Sequence, residues 1–195
     1  SNYDDTVKQY QDLAVAMVIE DSVQKYCKSA NNAGTGYEQE ALGVYNCLMN
    51  MQNVRSNLNF AVVEKESSGR YVYKGNSSVV DAKFDVAYQT DYEASIPIKE
   101  GNTVRMSFGN AYFRDGRYTL TLYHPVYSTS TIHEVKGMLV LNFNDSLVEQ
   151  LRQEENHQTD LELFLMDCNG RIVSISNEGR IGTTVSYLDQ MEGGS

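Results

Sequence analysis

Proline and cysteine are scarce, and basic residues are outnumbered. Two prolines in 195 residues exclude a linker-rich or low-complexity chain, and a hydrophobic share of 41% is enough to build one good core. Sixteen Lys and Arg stand against 26 Asp and Glu, a net charge of −10. That balance repels a phosphate backbone, so neither nucleic acid nor anionic lipid is an expected partner. No run approaches the roughly 18 to 20 apolar residues that cross a bilayer, and no apolar signal-peptide core follows a basic start. The chain reads as a soluble fragment, a form that an ectodomain taken from between two transmembrane helices would share.

Cys27, Cys47 and Cys168 have no metal-ligand spacing, and their odd number excludes a complete set of intrachain disulfides. Cys27 and Cys47 fall on adjacent helical segments. The sequence leaves open a bridge between them, which needs Cα atoms within about 7 Å, or free buried thiols. Catalytic motifs are missing as well. His124, His133 and His157 lie on a strand end, a loop and a polar linker, with no nucleophile and base arranged around them. There is no Gly-x-Ser-x-Gly, no Cys-x-x-Cys, no His-x-x-x-His and no phosphate-binding glycine loop. No catalytic residue, metal or cofactor is expected, and the fragment is not expected to be an enzyme.

What is present is periodicity. From Tyr3 to Ser29 there is no Gly or Pro, and Tyr3, Val7, Tyr10, Ala14 and Met17 recur at steps of four and three; this predicts one long amphipathic helix. A second stripe, Ile19, Val23 and Tyr26, continues on a shifted face. Asn31 to Gly36 breaks the helix, and a second runs from Glu38 to Gln52 with Ala41, Val44, Leu48 and Met51 on its buried side. The period then becomes that of strands. Phe60–Glu66 and Arg70–Lys74 flank Ser67-Ser68-Gly69 as a hairpin. Asp81–Ile98 reads as a short helix and loop lying across the sheet. Three antiparallel strands follow, Thr103–Phe108, Arg117–His124 and Lys136–Phe143, with Asp115-Gly116 as the turn between the first two. Helical character returns over Asp145–Glu154. A last hairpin, Leu161–Met166 and Arg171–Ser176, closes on Asp167-Cys168-Asn169-Gly170. The fold class is α+β, with a long N-terminal helix packed on an antiparallel sheet.

The alternation also sorts the sheet into faces. Val104, Met106 and Phe108 share a side with Tyr118, Leu120 and Leu122, the oily side, which faces the long helices. Arg105, Ser107, Thr119, Thr121 and Tyr123 take the other side, under the Asp81–Ile98 segment that brings Phe84, Asp85, Tyr88 and Tyr92. Aromatic walls with a few polar groups suit a small-molecule site. The candidate ligand-binding residues are Arg105, Ser107, Tyr112, Tyr118, Thr121, Tyr123, Tyr88 and Asp85, with Arg105 offering a rigid fork of donors for a carboxylate. A polar face simply open to solvent is the alternative the sequence allows.

The stretch Arg117-Tyr118-Thr119-Leu120-Thr121-Leu122-Tyr123-His124-Pro125-Val126-Tyr127, a loop, and Gly137-Met138-Leu139-Val140-Leu141-Asn142-Phe143-Asn144-Asp145-Ser146-Leu147 resemble the strand, loop, strand and helix pattern of Cache sensor domains, which are PAS-like. Asp167-Cys168-Asn169-Gly170-Arg171-Ile172-Val173, followed by Ile181-Gly182, is similar to the hairpin in the membrane-proximal half of double Cache domains. With the long first helix, the chain is most similar to ectodomains of YesM-type bacterial sensor histidine kinases. The resemblance implies a signalling helix over 1–30, a membrane-distal Cache module over 31–155, and a partial proximal module or docked hairpin over 156–195.

It further implies an extracytoplasmic location at the cell membrane, anchoring through segments absent here, a homodimer in the intact receptor, and a small-molecule ligand that controls a two-component kinase. Chemoreceptor or cyclase receptors use the same module, and a protein-docking role that senses through a solute-binding protein is a further alternative. Amino-acid-binding members of the family carry a tryptophan in their motif. This chain has no tryptophan, which lowers the amino-acid reading and leaves a carbohydrate-related or small organic acid ligand open.

Overall fold

The structure, a computed structural model, describes residues 2–95, 103–109, 112–114, 117–144, 164–166 and 172–175, with side chains for 5–89, 112–114 and 119–144. Three helices come first: α1 (Asn2–Val18), α2 (Asp21–Lys28) and α3 (Gly34–Val54). A hairpin of β1 (Leu58–Lys65) and β2 (Tyr71–Gly75) precedes α4 (Asp81–Ser95). Then come β3 (Thr103–Gly109), β4 (Arg117–Tyr127) and β5 (Val135–Asn144). A separate antiparallel pair is formed by β6 (Phe164–Met166) and β7 (Ile172–Ile175). The expected helix over Asp145–Glu154, the turns at Asp115-Gly116 and Asp167–Gly170, Cys168, and most of the 156–195 module lie outside the described residues.

The first five strands make one antiparallel sheet in the order β2-β1-β5-β4-β3. Every residue of β1 is buried, because β1 lies inside the sheet and both of its faces are covered. Its side chains alternate accordingly. Leu58, Ala61 and Val63 join Leu120, Leu122, Val126, Leu139, Leu141 and Phe143 against the N-terminal helices. Phe60 and Val62 join Tyr123, Met138 and Val140 on the opposite side, with Phe84, Ala87 and Tyr88 of α4. The helix layer contributes Tyr10, Ala14 and Met17 from α1, Val23 and Tyr26 from α2, and Val44, Leu48 and Met51 from α3. Each fully buried aliphatic or aromatic side chain of this kind is worth about 1.5–3 kcal/mol. The hairpin turn holds Gly69 at φ +70°, a conformation glycine adopts without a Cβ penalty.

One expectation fails. The Tyr3–Ser29 helix is not continuous: it ends at Val18 and restarts at Asp21, and Glu20 adopts φ −58°, ψ 136° at the joint. The cause is tertiary. The Gln24 side-chain amide donates to the Val18 carbonyl at 2.6 Å and to the Tyr127 carbonyl at 2.8 Å, while the Thr129 amide donates to Gln24 Oε1 at 3.1 Å. The Val18 carbonyl released at the break is thereby satisfied by a side chain of α2 that is itself held by the end of β4 and the loop after it. The shifted stripe is achieved by this joint, and Ile19, expected on it, is exposed, while Val23 and Tyr26 are fully buried. The segment starting at Asp81 is helical through Ser95, longer than the short helix expected.

Candidate functional site

The space between α4 and the sheet divides into an aromatic half and a polar half. The aromatic half lies over β1 and β2. Phe84 of α4 stacks on Tyr73 at 3.7 Å between ring centroids and meets Phe60 edge-on at 5.1 Å. Tyr71 lies 4.9 Å from Tyr88, and Tyr112 lies 4.9 Å from Phe60. Offset and edge contacts of this kind hold rings in fixed positions. Two hydroxyls of β2 fasten the helix: Tyr73 donates to Asp81 at 2.9 Å, and Tyr71 donates to Asp85. Burial, reinforced by the adjacent Asp81 carboxylate, raises the Tyr73 phenol above its usual range.

The polar half lies over β5 and β4, with Asn59 of β1. Pairing register makes Gly75, Phe60, Asn142, Thr121 and Arg105 successive neighbours across all five strands, at about 4.8 Å per strand. Asn142 Nδ2 donates to Thr119 Oγ1 at 2.8 Å and to Thr121 Oγ1 at 2.9 Å, and its Oδ1 accepts from Asn59 Nδ2 at 3.0 Å. Asn59 sits where the β1–β5 register shifts between Leu58 and Phe60. Such an irregularity re-aims one side chain, here toward the side of Asn142. Asn59 and Asn142 have no exposed surface, and Thr119 and Thr121 are also buried. Asn59 Oδ1 is buried and has no hydrogen-bond partner.

The structure brings the expected residues together unevenly. Thr121 and Tyr123 are buried on the α4 side of the sheet, as their alternation predicts. Tyr88 and Tyr112 belong to the aromatic layer, and the Tyr112 hydroxyl donates to the Ala87 carbonyl at 3.1 Å. Asp85 is exposed and stands at the rim, engaged by Tyr71. Arg105 and Ser107 hold backbone positions opposite Thr121 and Thr119; their side chains, and those of Tyr92 and Tyr118, lie outside the described residues. The alternative of a solvated sheet face does not hold where β4 and β5 are described, because Thr119, Thr121, Tyr123, Val140 and Asn142 are all buried. Sequence reasoning missed Asn59 and Asn142. The signal was a lone polar residue inside each of two apolar strands, Leu58-Asn59-Phe60-Ala61-Val62 and Leu139-Val140-Leu141-Asn142-Phe143.

On the far side, α1, α2 and α3 border a solvent-open groove of about 590 Å³ whose walls include Leu13, Met17, Glu20, Cys47 and Val54. Its surface is mainly apolar, with Glu20, Ser22, Asn46 and Asn50 as its polar lining residues. Cys27 and Cys47 are both free thiols. His124 is buried, its Nδ1 lies 2.7 Å from the Pro125 carbonyl, and burial holds its pKa below the usual value. Among the described residues, no group of three His, Cys, Asp or Glu is placed to hold a metal ion, and no helix is long and apolar enough to cross a membrane.

The sheet order, the helix layer on one face and α4 on the opposite face define an α+β, PAS-like fold of the Cache type. Solved structures similar to it include ligand-binding and sensory domains of chemoreceptors. The sensory domain of the Campylobacter jejuni chemoreceptor Tlp1 superposes with a TM-score of 0.59 at 10% identity, covering 93% of this chain and 71% of that one. The domain of the Pseudomonas aeruginosa amino-acid chemoreceptor PctB, in complex with L-Arg, gives 0.58 at 14% identity over 95% and 70%. That of PctC from the same organism, in complex with GABA, gives 0.55 at 13% over 99% and 78%. No family model matches the chain, and no curated protein matches it by sequence. At these identities the likeness establishes the fold.

Proposed function

We propose that this chain is the extracytoplasmic ligand-sensing domain of a bacterial membrane receptor, binding a small polar molecule between α4 and the β5-β4-β3 part of the sheet. The observation that carries the reading is the buried polar network of Asn59, Thr119, Thr121 and Asn142 on the α4-facing side of the sheet, beside the aromatic layer. A core built only for stability has little reason to bury four polar side chains there, since each must be desolvated and matched. Binding rather than catalysis is the role assigned, and the fold neighbours support it. They are chemoreceptors, which favours a chemotaxis output over the histidine kinase suggested by the YesM-type resemblance.

Signal transfer follows from the layering. A ligand that prefers one arrangement of α4 on the sheet shifts the population of that arrangement by its difference in affinity. The central strands carry the change to the helix face, where Gln24 couples the β4–β5 loop to the α1–α2 joint. Pairing of two copies through the N-terminal helices belongs to the same reading; Val15 of α1, Ile19 at the α1–α2 joint, and Leu42 and Val54 of α3 are exposed apolar residues.

The test is a thermal denaturation screen against sugars, L-amino acids, amines and organic acids. A ligand specific for the folded state, present at a hundredfold its Kd, adds about 2.7 kcal/mol and raises Tm by several degrees. No rise with any member, in protein shown to be folded, contradicts direct sensing and favours docking of a ligand-carrying protein.

A further inference from the structure

The joint between α1 and α2 has a second structure open to it. Val18 to Ser22 contains neither glycine nor proline, so the chain itself does not forbid a helix there. α2 begins without a side-chain cap, and the amides of Asp21, Ser22 and Val23 have no acceptor within α2. In an uninterrupted helix each finds one four residues back, Asp21 on Met17, Ser22 on Val18 and Val23 on Ile19. The bent form gives two of those carbonyls to other donors. Met17 accepts from the Glu20 amide at 3.2 Å, and Val18 accepts from Gln24 Nε2 at 2.6 Å. The Val18 carbonyl is therefore contested between the Gln24 side chain and the Ser22 amide.

Gln24 is held in place by the segment after β4. Its Nε2 also donates to the Tyr127 carbonyl at 2.8 Å, and its Oε1 accepts from the Thr129 amide at 3.1 Å. That loop is closed on itself: the Ser128 amide donates to the Glu134 carbonyl at 2.8 Å, and Ser128 Oγ accepts from the amides of Ser130 and Thr131, each at 3.2 Å. Displacing it takes both partners from Gln24 together.

Straightening also has a geometric consequence. Successive residues of a helix turn by about 100°, so Met17 and Tyr26, nine positions apart, face opposite sides of a straight helix. The stripes Tyr10, Ala14 and Met17 and Val23 and Tyr26 share one core only because the joint is bent. With α2 seated, a straight helix turns the α1 stripe away and takes the Tyr10 ring off Phe143, on which it stacks at 3.7 Å.

We propose that the α1–α2 joint is a two-state switch, bent while Gln24 is latched to the β4–β5 loop and a continuous helix when that loop moves away. The position of the loop then sets the direction of α1 and the exposure of its apolar stripe. Burial of Tyr10, Ala14 and Met17 keeps the bent form dominant and makes the straight form a minor state. The switch does not depend on what binds on the α4 side.

The experiment is carbon saturation-transfer NMR on the labelled full chain, which detects minor states exchanging in milliseconds and gives their chemical shifts. In Gln24→Leu the minor state is expected to show helical Cα shifts at Ile19, Glu20 and Asp21 and Tyr10 ring signals free of Phe143. Its population is expected to rise at least tenfold over wild type while remaining a minority. Gln24→Asn, one methylene too short to reach all three partners, gives the same reading if the leucine variant does not fold. Asp21→Pro is the lock. Glu20, at ψ 136°, already has the geometry preferred before proline, and the first position of α2 tolerates proline, whereas a continuous helix loses the amide for Met17 and meets a ring clash. Adding Asp21→Pro to the Gln24 variant is expected to abolish the minor state with circular dichroism unchanged.

Disordered shifts at residues 19–21 in the minor state overturn the proposal, because simple fraying of the joint gives that result. So does a minor state that persists beside Asp21→Pro, or the absence of any minor state in a folded Gln24 variant. A failed ligand screen leaves the switch standing, and a failed switch leaves the α4-side reading standing.

Discussion

Lys65 is a lysine with no exposed surface. Its Nζ donates to the carbonyls of Ser29 and Asn31 at 2.8 and 2.7 Å and lies 5.2 Å from the centre of the Tyr26 ring. It thereby ties the end of α2 to the end of β1. Replacing it with methionine keeps the length of the chain but strands two carbonyls, and hydrogen bonds to charged groups are worth about 1.5–3 kcal/mol each. Lys65→Met is expected to lower unfolding free energy by about 2–4 kcal/mol in urea titrations; an unchanged midpoint contradicts the tie.

Cys27, next to it, makes a prediction about pH. Burial pushes its thiol up to about 12, against the opposing pull of Lys65. A group whose folded pKa is raised favours the folded state below its unfolded value and loses that contribution as pH climbs toward the folded one. Stability is therefore expected to fall between about pH 9 and pH 12 more steeply in wild type than in Cys27→Ala. At pH 8, Cys27 is expected to react with a thiol reagent only as fast as the protein unfolds; rapid labelling of native protein at this residue contradicts its burial. Polar residues such as these are where the sequence was least legible. Thr121 and Tyr123 were placed on the right face by alternation alone. Asn59 escaped because its direction depends on a register shift against β5, whose Asn142 is 83 residues further along the chain and which no local pattern encodes.

Among the elements, the strands were legible because apolar residues alternate along β4 while β1 and β5 carry apolar runs of strand length, Phe60–Val63 and Met138–Leu141, and the structure moves their ends by no more than about three residues. The second helix carries Val44, Leu48 and Met51 on its buried side as its spacing predicts. The first helix misled for a physical reason. Ile19, Glu20 and Asp21 contain neither glycine nor proline, so nothing local stops the helix; Gln24 stops it by bonding to strand β4 and the loop after it. Gln24→Leu, of similar volume, leaves two carbonyls and one amide without this partner. The expected result is a loss of about 2–3 kcal/mol and faster amide hydrogen exchange confined to the α1–α2 joint and residues 128–134. If exchange there is unaltered, the joint is not held by Gln24.

On the scale of the whole molecule, the sheet is a partition between two differently built compartments. The helix side is an apolar core with a groove open to solvent, while the α4 side combines fixed rings with buried amides and hydroxyls. The sequence allowed this second face to be either solvated or roofed; the segment from Asp81 shows little clean periodicity as a whole, and the i, i+3, i+4 set Phe84, Ala87 and Tyr88 gains its meaning only against Tyr71 and Tyr73. The net charge of −10 adds a general field that favours cationic over anionic ligands.

The most direct test of ligand binding on the α4 side is an NMR titration of isotope-labelled protein with the compounds of the thermal screen, following the side-chain amides of Asn59 and Asn142 and the methyl groups of Thr119 and Thr121. The account predicts that these signals move together and saturate, while Leu13 and Val54 beside the helix groove stay in place. Shifts confined to the groove, or none anywhere, would contradict it.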